Sequence, residues 1–379
     1  MQNTKKIVLI GNYKPDGQES MERFTQMLKS GFEKENIPVD IWYPTVFFGK
    51  LSKSTLSGFG KWLGYLDKWL LFSILLRLKR SSNKNVRYHI CDHSNAAYIP
   101  HLPKRRTSIT CHDVLAIRGA LGFKDAYCPA SSTGVILQKW ILKNLLSADK
   151  IVAVSQFTLN QLIALNKGVA KPGWTVVHNG FNAGFKKLES SEWQSILKNN
   201  GQESLINNSY IIHVGSNLQR KNRKMLLNMV ASLGEKWNGL ICFTGQPMNA
   251  DLQQHALELG LKDRIVEIKK PPHLYLEALI NGAQAFVFPS FSEGFGWPVI
   301  EAQACGTPVI ASSLEPMPEV GGNGALYVDP YNPNAYAEAL LAVSKKELTQ
   351  ELLQNGIENA KRFNTDLMNK KYLDLIFLK

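Results

Sequence analysis

Short apolar, β-branched runs recur through the first half of the chain, at residues 7–10, 39–42, 86–90, 108–111, 150–154 and 175–177, and each is followed by a stretch with helical spacing. Runs of this length alternating with helices predict βα units on a parallel sheet covered on both faces. A polar stretch at residues 186–208 (KKLESSEWQSILKNNGQESLINN) breaks the rhythm and reads as a boundary. A second series then runs through residues 210–214, 240–244, 265–268, 285–288 and 308–311. The pattern predicts an α/β protein of two Rossmann-like, doubly wound parallel-sheet domains, at residues 1–190 and 207–362. Ligands of such sheets bind beyond the carboxyl ends of the strands, so the site should draw on both domains across a cleft. Residues 348–378 carry Leu, Ile and Phe at helical spacing and read as one or two helices. The final segment, 363–379, is expected to pack back on the first domain.

Length agrees with this division, since 379 residues exceed what a single core usually supports. At 44% hydrophobic residues the chain has enough apolar surface to fold, which excludes wholesale disorder. The net charge of +13 is not spread evenly: residues 1–200 hold 28 of the 44 Lys and Arg but only 13 of the 31 Asp and Glu. One domain therefore faces an anionic surface or ligand and the other does not. Part of the excess sits in an insertion, residues 50–87, with nine basic residues against the single acid Asp67. Trp62, Leu63, Tyr65, Leu66, Trp69, Leu70 and Phe72 lie among them, a composition that suits either an anionic membrane surface or a buried helix with solvated ends. The apolar stretch 69–76 is too short to span a bilayer. The run after Lys5 and Lys6 is too short for a secretory signal, and the five scattered cysteines suit a reducing cytoplasm.

Two segments carry chemistry. In FPSFSEGFGWPVIE, residues 288–301, Gly294 and Gly296 let backbone amides approach a ligand, and Pro298 suits the first turn of a helix whose unpaired amides can meet hydroxyls or phosphate oxygens. Glu293 precedes that helix and Glu301 lies within it; in isolation they would be a helix-start acid and a solvated residue. In HVGSNLQRKN, residues 213–222, Gly215 opens a strand-to-helix turn. Arg220 and Lys221 stand at the next helix start, where cations oppose the helix dipole unless an anion such as a diphosphate accounts for them.

With VSQFT at residues 154–158, HNG at 178–180 and the pair His112 and Asp113, these segments form an ordered set, and the sequence resembles the glycosyltransferases of family 4, with the two-domain GT-B fold. The resemblance implies that Arg220 and Lys221 hold the diphosphate of a nucleotide-sugar as it leaves, with Gly215 and Ser216 at the turn before them. It implies that Glu293 contacts donor-sugar hydroxyls, helped by the amides of Gly294, Phe295 and Gly296, and that Glu301 binds the ribose. It places His112 near the reacting sugar and the Gly17 loop near the phosphates. It implies a retaining transfer to a saccharide or lipid-linked saccharide acceptor in polysaccharide or glycoconjugate assembly, peripheral to the inner face of a membrane. No cofactor is implied beyond the nucleotide-sugar co-substrate. The twelve Asp residues never stand two apart, so no D-x-D metal motif is present and the expectation is metal-independent transfer. Ser216 stands where relatives are often basic, and Trp297 where they carry Leu.

Other readings remain at this level. A nucleotide-sugar epimerase or a pseudoenzyme would share the fold. A dehydrogenase would need G-x-G-x-x-G after the first strand, where the sequence is GNYKPDG. A nucleic-acid-binding protein would explain the basic half, but no helix-turn-helix, zinc-finger or RNP pattern accompanies it, so no nucleic-acid partner is expected. HICDH at residues 89–93 offers metal-ligand atoms, though a core cysteine flanked by strand-end polar residues explains it more simply.

Overall fold

A computed structural model of the chain describes residues 5–181 and 183–378. It divides into two compact units, one of residues 1–124, 128–182 and 365–379, the other of residues 125–127 and 183–364.

The first unit is built on six parallel strands: β1 (Lys6–Ile10), β2 (Val39–Trp42), β3 (Val86–Ile90), β4 (Thr107–Cys111), β5 (Lys150–Ala153) and β6 (Gly173–Val176), in the spatial order β2-β1-β3-β4-β5-β6. Leu9, Ile90, Ile109 and Ile151 are fully buried, as expected of strands covered on both faces. The helix α1 (Glu19–Lys34) follows β1 and buries Phe24, Leu28 and Phe32. The chain's last helix, Thr365–Phe377, belongs to this unit: Tyr372 Oη lies 3.1 Å from Thr110 Oγ1 on β4, and Thr365 Oγ1 donates to the Phe181 carbonyl at 2.8 Å.

The basic insertion folds as one helical run, α2 (Gly58–Tyr65), a π turn (Leu66–Leu71) and α3 (Phe72–Lys79). Its inner side is core, with Leu63, Phe72 and Leu76 buried, but Phe59, Trp62, Leu70 and Leu78 stand exposed. The segment is thus neither wholly buried nor merely solvated at its ends. Its lone acid, Asp67, is fully buried and accepts hydrogen bonds from Tyr13 Oη (2.7 Å) and from the backbone N–H groups of Phe47 (3.1 Å), Phe48 (2.8 Å) and Gly49 (2.8 Å).

The second unit repeats the plan with β7 (Tyr210–Gly215), β8 (Leu240–Gly245), β9 (Ile265–Lys269), β10 (Ala285–Phe288), β11 (Val309–Ser312) and β12 (Leu326–Val328), all parallel, in the order β12-β11-β10-β7-β8-β9. The pattern of apolar runs missed β12, which has three half-buried residues at the sheet edge and so lacks a continuous apolar signature. The polar stretch expected as a linker is structured. It forms the helices Ser190–Asn199, closed by a Glu189/Glu192 capping box, and Glu203–Asn207. Leu197 and Leu205 anchor them against Tyr210, so this unit starts at Ala183 rather than near 207.

Each sheet reverses direction once: between β1 and β3 in the first and between β7 and β10 in the second. At such a switch point the flanking connections leave in opposite directions and open a crevice at the strand ends, where ligands of doubly wound sheets bind.

Candidate functional site

At the switch point of the second sheet, β7 ends at Gly215 and β10 at Phe288. The chain after β7 makes a turn with a short helical piece, Gln219–Lys221, that closes on Asn222 in the left-handed region (φ 51°). Asn222 holds that shape because its side-chain amide donates to the carbonyls of Pro289 (3.1 Å) and Pro330 (2.8 Å). The turn is pinned to the β10 loop by Phe291 N–H donating to the Arg220 carbonyl at 2.8 Å. This brings both cations onto one carboxylate: Arg220 Nη1 and Lys221 Nζ each lie 2.6 Å from a different oxygen of Glu293, and Arg220 Nη1 also donates to the Ser292 carbonyl at 3.1 Å.

All three side chains are largely withdrawn from water. Burial works to raise the Glu293 pKa, but Lys221 and Arg220 outweigh it and hold the carboxyl below its ordinary value. Burial pulls Lys221 down, opposed by Glu293, and its ammonium also lies 5.0 Å from the Phe288 ring centroid. The cluster carries two positive charges against one negative, in a low-dielectric setting where a further anion is attracted strongly.

Beside it, Gly296 (φ 102°) starts the helix Trp297–Ala304, with Pro298 in its first turn. The positive φ at Gly296 calls for glycine, while the only close neighbour of an added Cβ would be the movable end of Met317. Gly294 and Phe295 are buried in the same loop, and the Phe295 ring meets Trp297 edge-on with centroids 6.2 Å apart. Glu301 is buried in that helix, which removes the reading of it as a solvated residue. Ser216 follows Gly215 half-buried. His213 lies on β7, a strand-end position that by sequence suits either a site-lining or a structural histidine. Its Nδ1–H donates to the Val287 carbonyl at 3.0 Å, which leaves Nε2 as a buried acceptor with no partner. Burial lowers its pKa to about 3. A Cβ on Gly215 would fall 2.8 Å from that nitrogen, so the glycine at the strand end is dictated by the histidine beneath it.

The switch point of the first sheet gathers His112 with residues that sequence reasoning had not assembled. His112 follows β4, is buried, donates from Nε2 to the Cys91 carbonyl (2.9 Å) and packs edge-on against Phe24 at 4.6 Å. Burial keeps it below the ordinary histidine pKa, against the pull of Asp92. Asp92 accepts from Asn12 Nδ2 at 2.6 Å and from Ser94 N–H at 3.0 Å, and Asn95 Nδ2 donates to Asn12 Oδ1 at 2.9 Å. The signal for Asn12 and Asp92 was their place just past β1 and β3, the two strands at the reversal. Gly17, in the left-handed region (φ 63°), closes the turn Lys14–Asp16 and, with Asn12, Tyr13 and Gln18, lines a pocket of about 270 Å³. His89 does not join this group: its two ring nitrogens lie 2.8 and 2.9 Å from Ser108 Oγ and Thr110 Oγ1, so the HICDH segment is split between core and strand-end cluster. Among the described residues no three His, Cys, Asp or Glu side chains group as metal ligands.

Residues 198–363 match the family model of the glycosyl transferases group 1. The protein is a glycosyltransferase. It is 28% identical to the O-antigen chain mannosyltransferase RfbU of Salmonella typhimurium, over 72% of this chain and 67% of that one. In fold it is similar to the sucrose-phosphate synthase of Thermosynechococcus elongatus (TM-score 0.73, 19% identity, 98% of each chain). It is likewise similar to HepE of Anabaena, solved with UDP and glucose (TM-score 0.70, 18% identity, 98% of each chain). The two six-stranded parallel sheets with flanking helices are those of the GT-B glycosyltransferases. The matched region contains Arg220, Lys221, Glu293, Gly296 and Glu301, so the residues clustered at the second switch point all lie inside the glycosyltransferase domain. This identity displaces the dehydrogenase reading. Among the described residues no helix is long and apolar enough to cross a membrane.

Proposed function

We propose that the enzyme is a retaining, metal-independent family 4 glycosyltransferase. It moves a sugar from a nucleotide-diphosphate donor to a saccharide or lipid-linked saccharide acceptor in polysaccharide or glycoconjugate assembly. The observation that carries the reading is the buried Arg220–Glu293–Lys221 cluster at the second switch point. As the glycosidic bond to the donor phosphate breaks, negative charge grows on the diphosphate oxygens, and fixed cations withdrawn from water stabilise that change without having to reorganise. Glu293 holds the two cations in place and keeps Lys221 charged despite burial. Its oxygens also accept from donor-sugar hydroxyls, while the amides at Gly294, Phe295 and Gly296 meet donor oxygens at the helix start. Glu301 reads the ribose. His112, held by the Cys91 carbonyl, presents its ring toward the reacting sugar, and the Gly17 loop approaches the phosphates. With two cations and a helix start supplying the positive charge, the leaving group requires no metal; the acceptor oxygen bonds the anomeric carbon on the face from which the phosphate departs and gives its proton to the departing phosphate oxygen, so the configuration is retained.

The named activity of RfbU makes a mannosyl donor the first candidate. We further assign residues 50–87 to an anionic membrane surface, on the strength of the exposed apolar and basic side chains of that insertion. The donor reading is tested by thermal shift across UDP-, GDP-, ADP- and dTDP-sugars, with transfer followed by release of the nucleotide. One nucleotide class should raise the melting temperature of the wild type and not that of Lys221→Ala. A shift of equal size in that variant would remove Lys221 from the site.

A further inference from the structure

The insertion's helical run has an outer face that the proposed chemistry does not use. Phe59, Trp62, Leu66, Leu70, Ile74 and Leu78 form an exposed ridge along it, with Phe59 75% and Leu78 75% accessible. From Trp62 onward these positions step by four residues, and in an α-helix each such step overshoots a full turn by about 40°. A ridge so spaced would drift around the axis. The π turn Leu66–Leu71 winds more slowly and takes back part of that drift, holding the ridge toward one side.

Next to the ridge the helix Ser132–Ser147 presents Ile136, which is 71% exposed, and Trp140. Between the two helices runs an apolar groove of about 720 Å³, in the size range of ligand sites. Trp69 from one wall meets Trp140 from the other edge to face, with centroids 5.6 Å apart. Lys61 also lines the groove, its ammonium 5.7 Å from the Tyr65 ring centroid.

We propose that this groove holds the hydrocarbon chain of a phosphate-headed lipid acceptor, with Lys61 meeting the phosphate. The inference rests on the lipid-linked form of the acceptor given above. Three observations select this occupant. The walls are nearly all apolar, so a peptide strand laid there would lose water from its backbone N–H and C=O groups without recovering partners, whereas a hydrocarbon has none to lose. The segment's only acid, Asp67, is spent internally on Tyr13 and three backbone amides, and among the described residues no carboxylate lines the groove, so Lys61 on its wall is the charge an anionic head meets there. The groove wall is also tied to the loop that carries Gly17: Lys68, between the wall residues Tyr65 and Trp69, pairs with Asp16 at 2.9 Å, and Asp67 holds Tyr13 at 2.7 Å. The wall of the groove is therefore fixed to the loop at the first switch point.

The probe is farnesyl phosphate, a water-soluble isoprenoid phosphate, titrated into the full-length protein without vesicles while tryptophan fluorescence is followed. Saturable 1:1 binding is expected, with farnesol and inorganic phosphate each at least about tenfold weaker. Ile136→Asp, at an exposed position, should weaken farnesyl phosphate at least about tenfold while its melting temperature stays that of the wild type. Phe59→Ser with Leu78→Ser, on the ridge outside the groove, should leave farnesyl phosphate binding unchanged and reduce sedimentation with phosphatidylglycerol vesicles. Non-saturable uptake, equal binding of inorganic phosphate, or wild-type affinity in Ile136→Asp would each overturn the proposal. The nucleotide-sugar thermal shift, run on the same Ile136→Asp protein, reports the donor site separately. A wild type that shows this shift yet fails to bind farnesyl phosphate sinks the groove alone, and a wild type without the shift sinks the donor reading instead.

Discussion

Replacing Glu293 by alanine leaves Arg220 and Lys221 facing one another with no carboxylate between them, in a place largely closed to water. From sequence Glu293 is a ligand-contacting residue whose loss should cost only activity. The structure adds a stability cost, because both of its oxygens sit 2.6 Å from a cation. Removing one partner of a buried ion pair typically costs about 3–5 kcal/mol, most of it the penalty of an uncompensated buried charge. For a domain the size of the second unit, about 2–4 °C of melting temperature accompanies each kcal/mol, so its calorimetric transition should fall by about 6–20 °C. Glu293→Gln, which keeps an acceptor oxygen, should fall less. Glu293→Ala combined with Lys221→Met should regain part of the loss, since the stranded ammonium is gone. Glu293→Ala and the double variant should both lack transfer activity. A Glu293→Ala protein that melts with the wild type would refute the buried three-residue cluster as the organiser of this site.

Two further outcomes follow from buried polar groups. His89 and His213 are held near pKa 3 by burial, whereas an unfolded histidine titrates near its ordinary value of about 6.5, so the unfolded state binds protons that the native state refuses. Their contribution is complete above about pH 6.5 and declines as pH falls toward 3, by up to about 1.4 kcal/mol per pH unit for each; urea unfolding of His213→Gln should show a shallower loss between pH 6.5 and 5 than the wild type, and an identical slope would contradict the assignment. Asp67→Asn places an amide N–H₂ where four donors converge and should destabilise the first unit by about 2–5 kcal/mol, with faster hydrogen exchange at Phe47, Phe48 and Gly49; unchanged exchange there would show that the loop does not depend on Asp67.

The chain's local pattern determined the architecture. Eleven of the twelve strands among the described residues announce themselves because a strand in a parallel sheet is rich in apolar and β-branched residues, and that demand is written in neighbouring residues. The glycines at 215, 294 and 296, the proline at 298 and the RKN turn could be picked out for the same reason: each answers a local requirement of backbone shape or helix start. Other features depended on partners far away in sequence. Asp67 looks like a stray acid among bases until Tyr13 and the backbone at 47–49 arrive around it, and the Leu and Trp residues of 58–79 do not reveal which are core and which form the exposed ridge. Asn12, Asp92 and His112 come together only because the strand order reverses between β1 and β3, and Glu293 meets Arg220 and Lys221 only because β10 lies beside β7. Pairing across tens of residues leaves no periodic trace in the chain; it is fixed by the order in which the sheet assembles.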